Sequence, residues 1–298
     1  MSILLDENTK VVVQGLTGRE GSLRSQFMKE YGTKVVAGVT PGRGGAKVHG
    51  IPVFDTIKQA IEKVGMIDAA VTFIPGPALK SAVYEAIDAG IKFVVSPVER
   101  IPIQDVIEMV HYALKNDVKL LGPGSLGLIS PGRAAIGWLG GSLEWARALF
   151  DPGPVGVISR SGGQSGTVPW ALKVAGLGIS TALHIGTEPV LGMTMADILK
   201  MFETDDQTKA VAIFGEIGGT LEEEAAECVA KGEFTKPLVV FIAGAWAPEG
   251  MRFSHASSIV EKGRGTAQGK MDALTKAGAH IVDSHEKIAP KIKELIQL

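Results

Sequence analysis

Two residues in the second half of the chain have the types and surroundings for nucleophilic chemistry. His255 lies in the stretch AWAPEGMRFSHASS, which follows the apolar run KPLVVFIAG. Glu216 ends another apolar run and precedes the glycines of FGEIGG, where a carboxylate without a partner would be costly. A carboxylate bonded to one imidazole nitrogen fixes the tautomer and leaves the other nitrogen as a nucleophile. The sequence therefore indicates a histidine nucleophile oriented by a carboxylate.

Four of the other five histidines are expected to be structural or surface residues. They lack the spacing to one another, or to a cysteine, that a metal site requires, so we expect no metal. His184 lies inside an apolar run and is expected to be a core histidine with its hydrogen bonds satisfied, whereas the role of His49, in a loop, is left open. The remaining three fall within or at the start of predicted helices and strands: His111, His280 and His285.

Two glycine-rich loops in the first half of the chain have the character of an anion site. The first, QGLTGREG, places Gly15, Gly18 and Gly21 at the start of a predicted helix, where backbone amides at 17–20 point outward. The second, VTPGRGG, ends the next predicted strand with Arg43 and without the carboxylate that holds the ribose of a dinucleotide. A ligand with several phosphates, such as coenzyme A, is favoured over NAD, although two ordinary strand–helix turns would also fit.

A third glycine-rich loop, SRSGGQSGT, follows the apolar run PVGVI and is predicted to open a helix. Its amides and the helix dipole would again face an anion, and this is the stronger phosphate signal. The chain contains no G-x-x-x-x-G-K-[ST] motif. Any nucleoside triphosphate is therefore expected to bind mainly to another polypeptide.

Composition limits the remaining classes of function. The formal net charge of the 298 residues is -2, so no nucleic acid or anionic membrane partner is expected. The single cysteine, Cys228, cannot form an internal disulfide, and the N-terminus lacks the basic segment of a signal peptide. No apolar run is long enough to cross a bilayer. A cytoplasmic location is expected.

Ten apolar runs closed by glycine or proline alternate with stretches of helical period. This pattern is typical of parallel sheets covered by helices on both faces, and it predicts an α/β fold with two doubly wound domains. We expect a Rossmann-like coenzyme-binding domain at 1–122, a linker at 123–154 and a flavodoxin-like, doubly wound parallel-sheet domain at 155–298. In such folds ligands bind beyond the carboxyl ends of the strands, where the loops described above lie.

The motifs together resemble those of the succinate–CoA ligase α-subunit family over essentially the full length. They include MSIL, QGLTGREG, YGTKVVAGVTPGRGG, PVGVISRSG, GEIGG and APEGMRFSHA. The resemblance implies a subunit that, with a β subunit, converts a carboxylic acid, coenzyme A and ATP or GTP into acyl-CoA, nucleoside diphosphate and phosphate, a tricarboxylic acid cycle step where the acid is succinate. It also implies a heterodimer or heterotetramer in which the β subunit holds most of the nucleotide and its Mg.

Roles for individual residues follow from the same resemblance. His255 matches a transiently phosphorylated histidine, Glu216 the carboxylate that orients it, and Ser161, Gly162 and Gly163 the loop that cradles the phosphoryl group. Arg43 stands where the family commonly has lysine, and Pro97 cannot donate an amide hydrogen bond. The residues implied to bind coenzyme A are Thr17, Gly18, Arg19, Glu20, Arg43, Ser96, Pro97 and Val98.

The departures from the family pattern cluster around the acid and the histidine. The loop GPGSLG replaces G-P-N-C-P-G, glycine replaces a tyrosine after SRSG, Gly-Thr-Glu replaces Gly-Gly-Asp, and serines at 254 and 257 replace glycines. The loops SRSGGQS and GPGSLG are more similar to citryl-CoA synthetase and ATP-citrate lyase, so the acid is left open among succinate, citrate, malate and sulfonated or longer acids. The acid pocket is predicted at Ser125, Gly166, Gly186 and Thr187.

Two other functions compete with the ligase. Ser161, Glu216 and His255 occur in the serine–acid–histidine order of α/β-hydrolases, but Ser159 replaces the first glycine of the nucleophile elbow and no HGGG-type oxyanion loop occurs. The altered residues around the histidine would also fit a non-catalytic subunit that senses coenzyme A. The full-length resemblance favours the catalytic ligase over both.

Overall fold

The computed structural model describes residues 3–247, 255, 257–260 and 265–297. Within them the chain forms two seven-stranded sheets, each flanked by helices. The first sheet has the order β3-β4-β2-β1-β5-β6-β7, and its elements are β1 (Lys10–Gln14), α1 (Arg19–Tyr31), β2 (Lys34–Val39), β3 (Lys47–Val48), β4 (Ile51–Phe54), α2 (Ile57–Val64), β5 (Ala69–Thr72), α3 (Leu79–Asp88), β6 (Phe93–Val95), α4 (Ile103–Lys115) and β7 (Lys119–Leu121).

The second sheet has the order β14-β13-β12-β10-β11-β8-β9. Its elements are β8 (Gly127–Ser130), β9 (Ala134–Gly137), α5 (Leu143–Leu149), β10 (Pro152–Ser159), α6 (Thr167–Val174), β11 (Ile179–His184), α7 (Met195–Thr204), β12 (Ala210–Glu216), α8 (Leu221–Ala230), β13 (Leu238–Ala243), α9 (Ala267–Ala277), β14 (His280–Val282) and α10 (Ile288–Ile296). Short 3-10 turns lie at Gly76–Ala78 and His285–Lys287.

Both sheets are mainly parallel, as the continuous apolar runs predict. All seven residues of β12 are buried, because helices cover both faces of the sheet. Only the pairings of β3 with β4, β8 with β11 and β8 with β9 are antiparallel among the described strands. The predicted doubly wound α/β fold is confirmed.

The sequence pattern does not predict four short strands, because each spans only two to four residues in a region rich in glycine. These strands are β3, β4, β8 and β9. The expected linker at 123–154 is not a free connection. It contains β8 and β9, which extend the second sheet through β11, and α5. The strands do not fix the limits of the two domains, and the domain limits 1–122 and 155–298 stay predictions.

The β8–β9 hairpin also joins the two halves of the chain. The buried Thr33 hydroxyl, just after α1, donates to the Ala135 carbonyl at 2.6 Å and accepts from the Ala135 amide at 2.9 Å. The Ser130 hydroxyl donates to the Leu5 carbonyl at 2.7 Å. Met28 of α1 and Ile136 of β9 belong to one hydrophobic core that extends across both sheets. The hairpin therefore fixes the loop after β9 against the first domain.

The register of the second sheet positions the candidate nucleophile. Ser159, at the end of β10, pairs with Phe214 of β12, and Glu216 pairs with Ala243 of β13. The carboxyl ends of three neighbouring parallel strands therefore share one edge of the sheet, where open α/β folds bind ligands. No described helix is both long and apolar enough to cross a bilayer.

Candidate active site

His255 and Glu216 are in direct contact, as the sequence predicts. Nδ1 of His255 lies 3.0 Å from Oε1 and 3.1 Å from Oε2 of the Glu216 carboxylate. The Ser258 hydroxyl donates to Oε1 of the same carboxylate at 2.8 Å, and Nη2 of Arg160 lies 3.4 Å from it. Glu216 is only 9% exposed, so these three partners replace the water that a surface carboxylate would have.

The carboxylate determines which imidazole nitrogen is available for chemistry. A carboxylate only accepts hydrogen bonds, so Nδ1 of His255 carries the proton and Nε2 keeps its lone pair. The hydrogen bond to Glu216 raises the pKa of His255 above its ordinary value, and partial burial of the ring opposes this rise. The side chain is 17% exposed, so a reactant can reach it.

The predicted phosphate cradle is a tight turn that precedes a helix. The Ser159 hydroxyl accepts from the Ser161 amide at 3.2 Å and donates to the Ser161 carbonyl at 2.8 Å. The Ser165 hydroxyl donates to the Gly162 carbonyl at 2.6 Å. Helix α6 begins only at Thr167, so Ser161, Gly162 and Gly163 lie in the turn before it and not at the helix start itself.

A cavity of about 350 Å³ opens beside this turn. Gly162, Gly163 and Gly166 form one wall. A Cβ on Gly162 would lie 2.9 Å from the Leu126 side chain, so a residue larger than glycine there would displace that side chain. The other wall is largely apolar and comes from the loop after β9 and from α5: Trp138, Gly140, Gly141, Trp145 and Leu149.

His184 is a satisfied core histidine, as predicted. Its Nδ1 accepts from the Leu126 amide at 3.0 Å, which places the proton on Nε2, and Nε2 donates to the Arg160 carbonyl at 3.2 Å. Burial lowers the pKa of His184 to about 4. The ring is therefore neutral at physiological pH and joins β11 to Arg160, directly after β10, and to Leu126, directly before β8.

Three of the four predicted acid-pocket residues lie together. The Ser125 hydroxyl donates to the His184 carbonyl and accepts from the Gly127 amide at 3.0 Å, and Ser125 is fully buried. Gly186 has φ of +130°, and a Cβ there would lie 2.5 Å from the Pro123 carbonyl oxygen. The Thr187 hydroxyl donates to Oε2 of Glu99 at 3.3 Å. Gly166 instead lines the cavity beside the cradle.

The first glycine-rich loop forms the predicted strand–turn–helix. Gly15 has φ of +83°, and a Cβ on Gly21 would lie 2.1 Å from the Gly15 carbonyl oxygen, so the close turn requires both glycines. The first helical hydrogen bond of α1 runs from the Ser22 amide to the Gly18 carbonyl at 2.8 Å. The amides of residues 19–21 therefore have no acceptor within the helix and can face an anion.

A cavity of about 400 Å³ brings most of the predicted coenzyme A residues together. Gly18, Arg19 and Glu20 line one side, and Pro97 and Val98 line another. Phe73 and Trp138 contribute aromatic surface, and the guanidinium carbon of Arg24 lies 4.6 Å from the centre of a Trp138 ring. Trp138 also lines the cavity beside the cradle, so one side chain separates the two spaces.

The other three predicted coenzyme A residues have different surroundings. The Thr17 amide donates to the Thr40 hydroxyl at 3.4 Å, which joins the first glycine-rich loop to the loop of Arg43. The Arg43 side chain is exposed. Ser96 is fully buried, and its hydroxyl has no hydrogen-bond partner among the described residues. Ser96 is therefore buried behind the cavity wall, whereas its neighbours Pro97 and Val98 line the cavity.

The sequence did not predict two residues of the site, Arg160 beside the histidine and Trp138 between the two cavities. Arg160 stands within SRSGG, whose glycines predict an anion site made of backbone amides and give no role to the arginine. Trp138 fell in the expected linker. A cation directly after a strand with an apolar centre is the signal that could have identified Arg160, since such a group needs partners if it is buried. Ser254, one of the two replaced glycines, lies outside the described residues.

Two family models match separate parts of the chain. The family model described as CoA binding domain matches residues 6–99, and the one described as CoA-ligase matches residues 158–280. The chain is 46% identical over 300 residues to the succinate–CoA ligase [ADP-forming] subunit alpha of Aquifex aeolicus, which covers all of this chain and 96% of the relative. It is 42% identical over 295 residues to the ADP-forming sulfoacetate-CoA ligase subunit SqwL of Acholeplasma sp, with 99% and 98% covered.

A solved structure shares the whole architecture. The ATP citrate lyase of Methanosaeta concilii, in complex with (3S)-citryl-CoA, superposes with a TM-score of 0.90 at 25% identity. The match covers 99% of this chain and 51% of the lyase, so the chain spans about half the length of that protein. On the sequence identity over its full length, the chain belongs to the succinate–CoA ligase α-subunit family, which includes subunits of sulfoacetate–CoA ligases.

Proposed function

We propose that this chain is the catalytic α subunit of a nucleoside-diphosphate-forming acid–CoA ligase. The net reaction joins a carboxylic acid to coenzyme A and converts ATP or GTP to its diphosphate and phosphate. The observation that carries the proposal is the bond between Nδ1 of His255 and the Glu216 carboxylate at 3.0 Å, which leaves Nε2 as a nucleophile. The coenzyme A-binding domain and the family of the chain supply the context.

His255 has the properties needed to relay a phosphoryl group. Its Nε2 forms a bond to the γ-phosphorus while the bond to the diphosphate breaks, and the Nδ1 proton stays on the ring toward Glu216. The acid's carboxylate oxygen then takes the phosphoryl group from Nε2 and becomes an acyl phosphate. The coenzyme A sulfur then attacks the acyl carbon, the bond between that carbon and the phosphate oxygen breaks, and the thiol proton passes to the departing phosphate. His255 returns to its starting state.

A helix N-terminus and backbone amides assist at each anionic stage. The turn at Ser161, Gly162 and Gly163 precedes α6 and would offer the amides of Gly162 and Gly163 to the phosphoryl group, because the Ser161 amide already donates to the Ser159 hydroxyl. At the other cavity the amides at the start of α1 and the Arg43 guanidinium would face the phosphates of coenzyme A. The aromatic surface of Trp138 would pack beside its pantetheine arm.

The nucleotide requires a partner. Because the sequence has no P-loop, we propose that a β subunit holds the ATP or GTP and its Mg, in a heterodimer or heterotetramer with this chain. The relatives named as alpha subunits support this arrangement. We also propose a cytoplasmic location, and a place in the tricarboxylic acid cycle where the acid is succinate.

One observation favours an acid other than succinate. Gly166 replaces the tyrosine of the family pattern and lines a cavity of about 350 Å³ with Trp138 and Trp145. A larger or differently charged acid therefore has space beside the phosphate cradle. A relative is a sulfoacetate–CoA ligase subunit, and a structural neighbour was solved with citryl-CoA, so both a sulfonate and a tricarboxylate are candidates.

The experiment is an acid screen with the chain and its co-purified β subunit. Rates of acyl-CoA formation are measured with succinate, sulfoacetate, malate and citrate, with ATP and with GTP. A preference for sulfoacetate or citrate supports the enlarged pocket, and a clear preference for succinate removes it. Coenzyme A binding without acyl-CoA formation from any of the acids would instead support the non-catalytic subunit.

A further inference from the structure

Arg160 is a buried cation directly behind the candidate nucleophile. It follows β10, the central strand between β11 and β12, and it is 1% exposed. Moving a charge out of water is costly unless partners compensate for the lost hydration. A buried arginine at the carboxyl edge of the sheet therefore requires anionic or hydrogen-bonding partners, and its contacts provide them.

On the side of the histidine, the guanidinium bonds to two separate segments, the end of β12 with its following turn and the segment that follows His255. Its Nη2 donates at 2.9 Å to the hydroxyl of Ser257, in the histidine loop, by which we mean His255 and residues 257–260. The same Nη2 lies 3.4 Å from Oε1 of Glu216. Its Nη1 donates to the Gly218 carbonyl at 2.8 Å, in the turn after β12. The Ser257 hydroxyl donates onward to the Thr187 carbonyl at 3.2 Å. One planar side chain thus fixes the carboxylate and the histidine loop relative to each other.

On its other side, Arg160 is held by a buried ion network. Nη1 lies 3.3 Å from both carboxylate oxygens of Glu222 in α8. Glu222 also pairs with Lys270 of α9, and both side chains are fully buried. Burial raises the pKa of Glu222, but the charges of Arg160 and Lys270 outweigh it and hold the pKa below its ordinary value. The ionised Glu222 prevents the guanidinium from turning away from the histidine.

The same guanidinium acts on the charge of the imidazole. Among the described residues, four charged or titratable groups act on His255: Glu216 of β12, Arg160 after β10, Glu99 after β6 and His184 of β11. The two carboxylates favour the protonated ring, and Arg160 opposes them. Only the unprotonated Nε2 can accept a phosphoryl group, so the cation favours the reactive form.

We propose that Arg160 is a positioning residue for the Glu216–His255 pair. It fixes the histidine loop through Ser257 and the carboxylate through Glu216, and its charge opposes protonation of the imidazole. Ser257, which stands where the family pattern has glycine, is this chain's own attachment point for it. The proposal rests on the proposed function, since the orientation of His255 matters only if its Nε2 accepts a phosphoryl group.

The test measures phosphorylation of His255 in the complex with the β subunit, by rapid quench with γ-labelled ATP from about pH 5.5 to 9. In Arg160→Gln we expect the phosphorylation rate to fall at least about tenfold, because hydrogen bonds from a charged group are lost. The acid limb, which is the pH range where the rate falls as His255 becomes protonated, should move about one pH unit upward, because a cation near the ring is lost. Arg160→Lys keeps the charge, so its acid limb should stay near that of the wild type although its rate falls. A residue that only supported the fold would not separate these two effects.

Ser257→Ala tests the proposal without removing a buried charge. It should lower the phosphorylation rate about tenfold through loss of a hydrogen bond to a charged group, with the KM for ATP unchanged. The matched control is Ser180→Ala, at the amino end of β11 and so at the far end of that strand from His184. Its buried hydroxyl bonds only to Thr208 among the described residues, so this variant should be labelled at the wild-type rate.

The outcomes separate the two claims. The positioning role would be overturned if wild-type His255 is labelled and both Ser257→Ala and a folded Arg160→Gln keep the wild-type rate and the wild-type acid limb. That result would leave the proposed function standing. If Arg160→Gln does not fold, an unchanged rate in Ser257→Ala alone overturns it. Absence of label on wild-type His255 would overturn both.

Discussion

Nδ1 of His255 lies 3.0 Å from Oε1 of Glu216, although the two residues are 39 positions apart in the sequence. Glu216 is the last residue of β12, and His255 belongs to the loop after the neighbouring strand β13. Parallel pairing of these strands brings both to one edge of the sheet. The contact therefore follows from topology, and it gives the site a nucleophile of defined tautomer.

The first prediction concerns the pH dependence that Glu216 imposes. Its hydrogen bond raises the pKa of His255, so the rate of phosphorylation should fall as pH falls through that raised value. In Glu216→Gln this cause is absent, and the acid limb should move to lower pH. The plateau rate should also drop by about 10²-fold or more, because an amide can present its N–H and stabilise the wrong tautomer. Pre-steady-state phosphorylation across pH measures both, and an acid limb in Glu216→Gln at or above the wild-type position would contradict the assignment.

The second prediction concerns Gly218, in the turn after β12. It has φ of +83°, and a Cβ there would lie 2.1 Å from the Ser257 carbonyl oxygen. Gly218→Ala should therefore displace the histidine loop and reduce acyl-CoA formation about 10²-fold. Gly232→Ala is the matched control, because Gly232 has a similar φ of +73° with no atom within 4 Å of its added Cβ. Equal activities of the two variants would show that backbone strain alone, and not the contact with Ser257, determines the effect.

The sequence predicted ten of the strands, because buried parallel strands are continuous apolar runs that end at glycine or proline. It did not predict the β8–β9 hairpin, whose strands have only four residues each and contain small side chains. That hairpin joins the two sheets and places Trp138 between the two cavities. Short antiparallel strands depend on the sheet that they join, and local pattern does not contain that information.

The candidate site shows the same limit. The Glu216–His255 pair was predicted because a carboxylate after an apolar strand requires a partner. The contacts of Arg160 were not, because it bonds to residues 56–97 positions away through a side chain that reaches across several elements. Such long-range contacts become visible only in three dimensions.

The third prediction concerns coenzyme A. Arg43 is exposed on the loop that the Thr17–Thr40 hydrogen bond joins to the start of α1. Arg43→Ala should raise the KM for coenzyme A about tenfold, by loss of an ionic hydrogen bond to phosphate, with an unchanged melting temperature. Lys58→Ala on the exposed side of α2 is the control for lost surface charge. A KM equal to that of the control would place the coenzyme's phosphates elsewhere.

The fourth prediction concerns the buried neutral ring of His184. Its pKa in the folded chain is about 4, below the ordinary 6.5, so the unfolded chain takes up a proton first as pH falls. The free energy of unfolding should therefore decrease between these two values, by roughly 3 kcal/mol from this residue.

Urea unfolding at several pH values tests this prediction. In His184→Gln the decrease below pH 6.5 should be shallower than in the wild type. The exposed His111→Gln on α4 is the control and should keep the wild-type dependence. Identical dependence in His184→Gln and the wild type would contradict the assignment of a neutral ring.

The most direct test of the proposed function is identification of the phosphorylated residue during turnover. The complex of this chain with its β subunit is incubated with γ-labelled ATP or GTP, quenched in base and analysed by mass spectrometry. We predict an acid-labile, base-stable phosphoryl group on His255 that disappears on addition of the acid and coenzyme A and is absent from His255→Ala. Acyl-CoA formation at the wild-type rate by His255→Ala, or turnover with the label on another residue, would contradict the account.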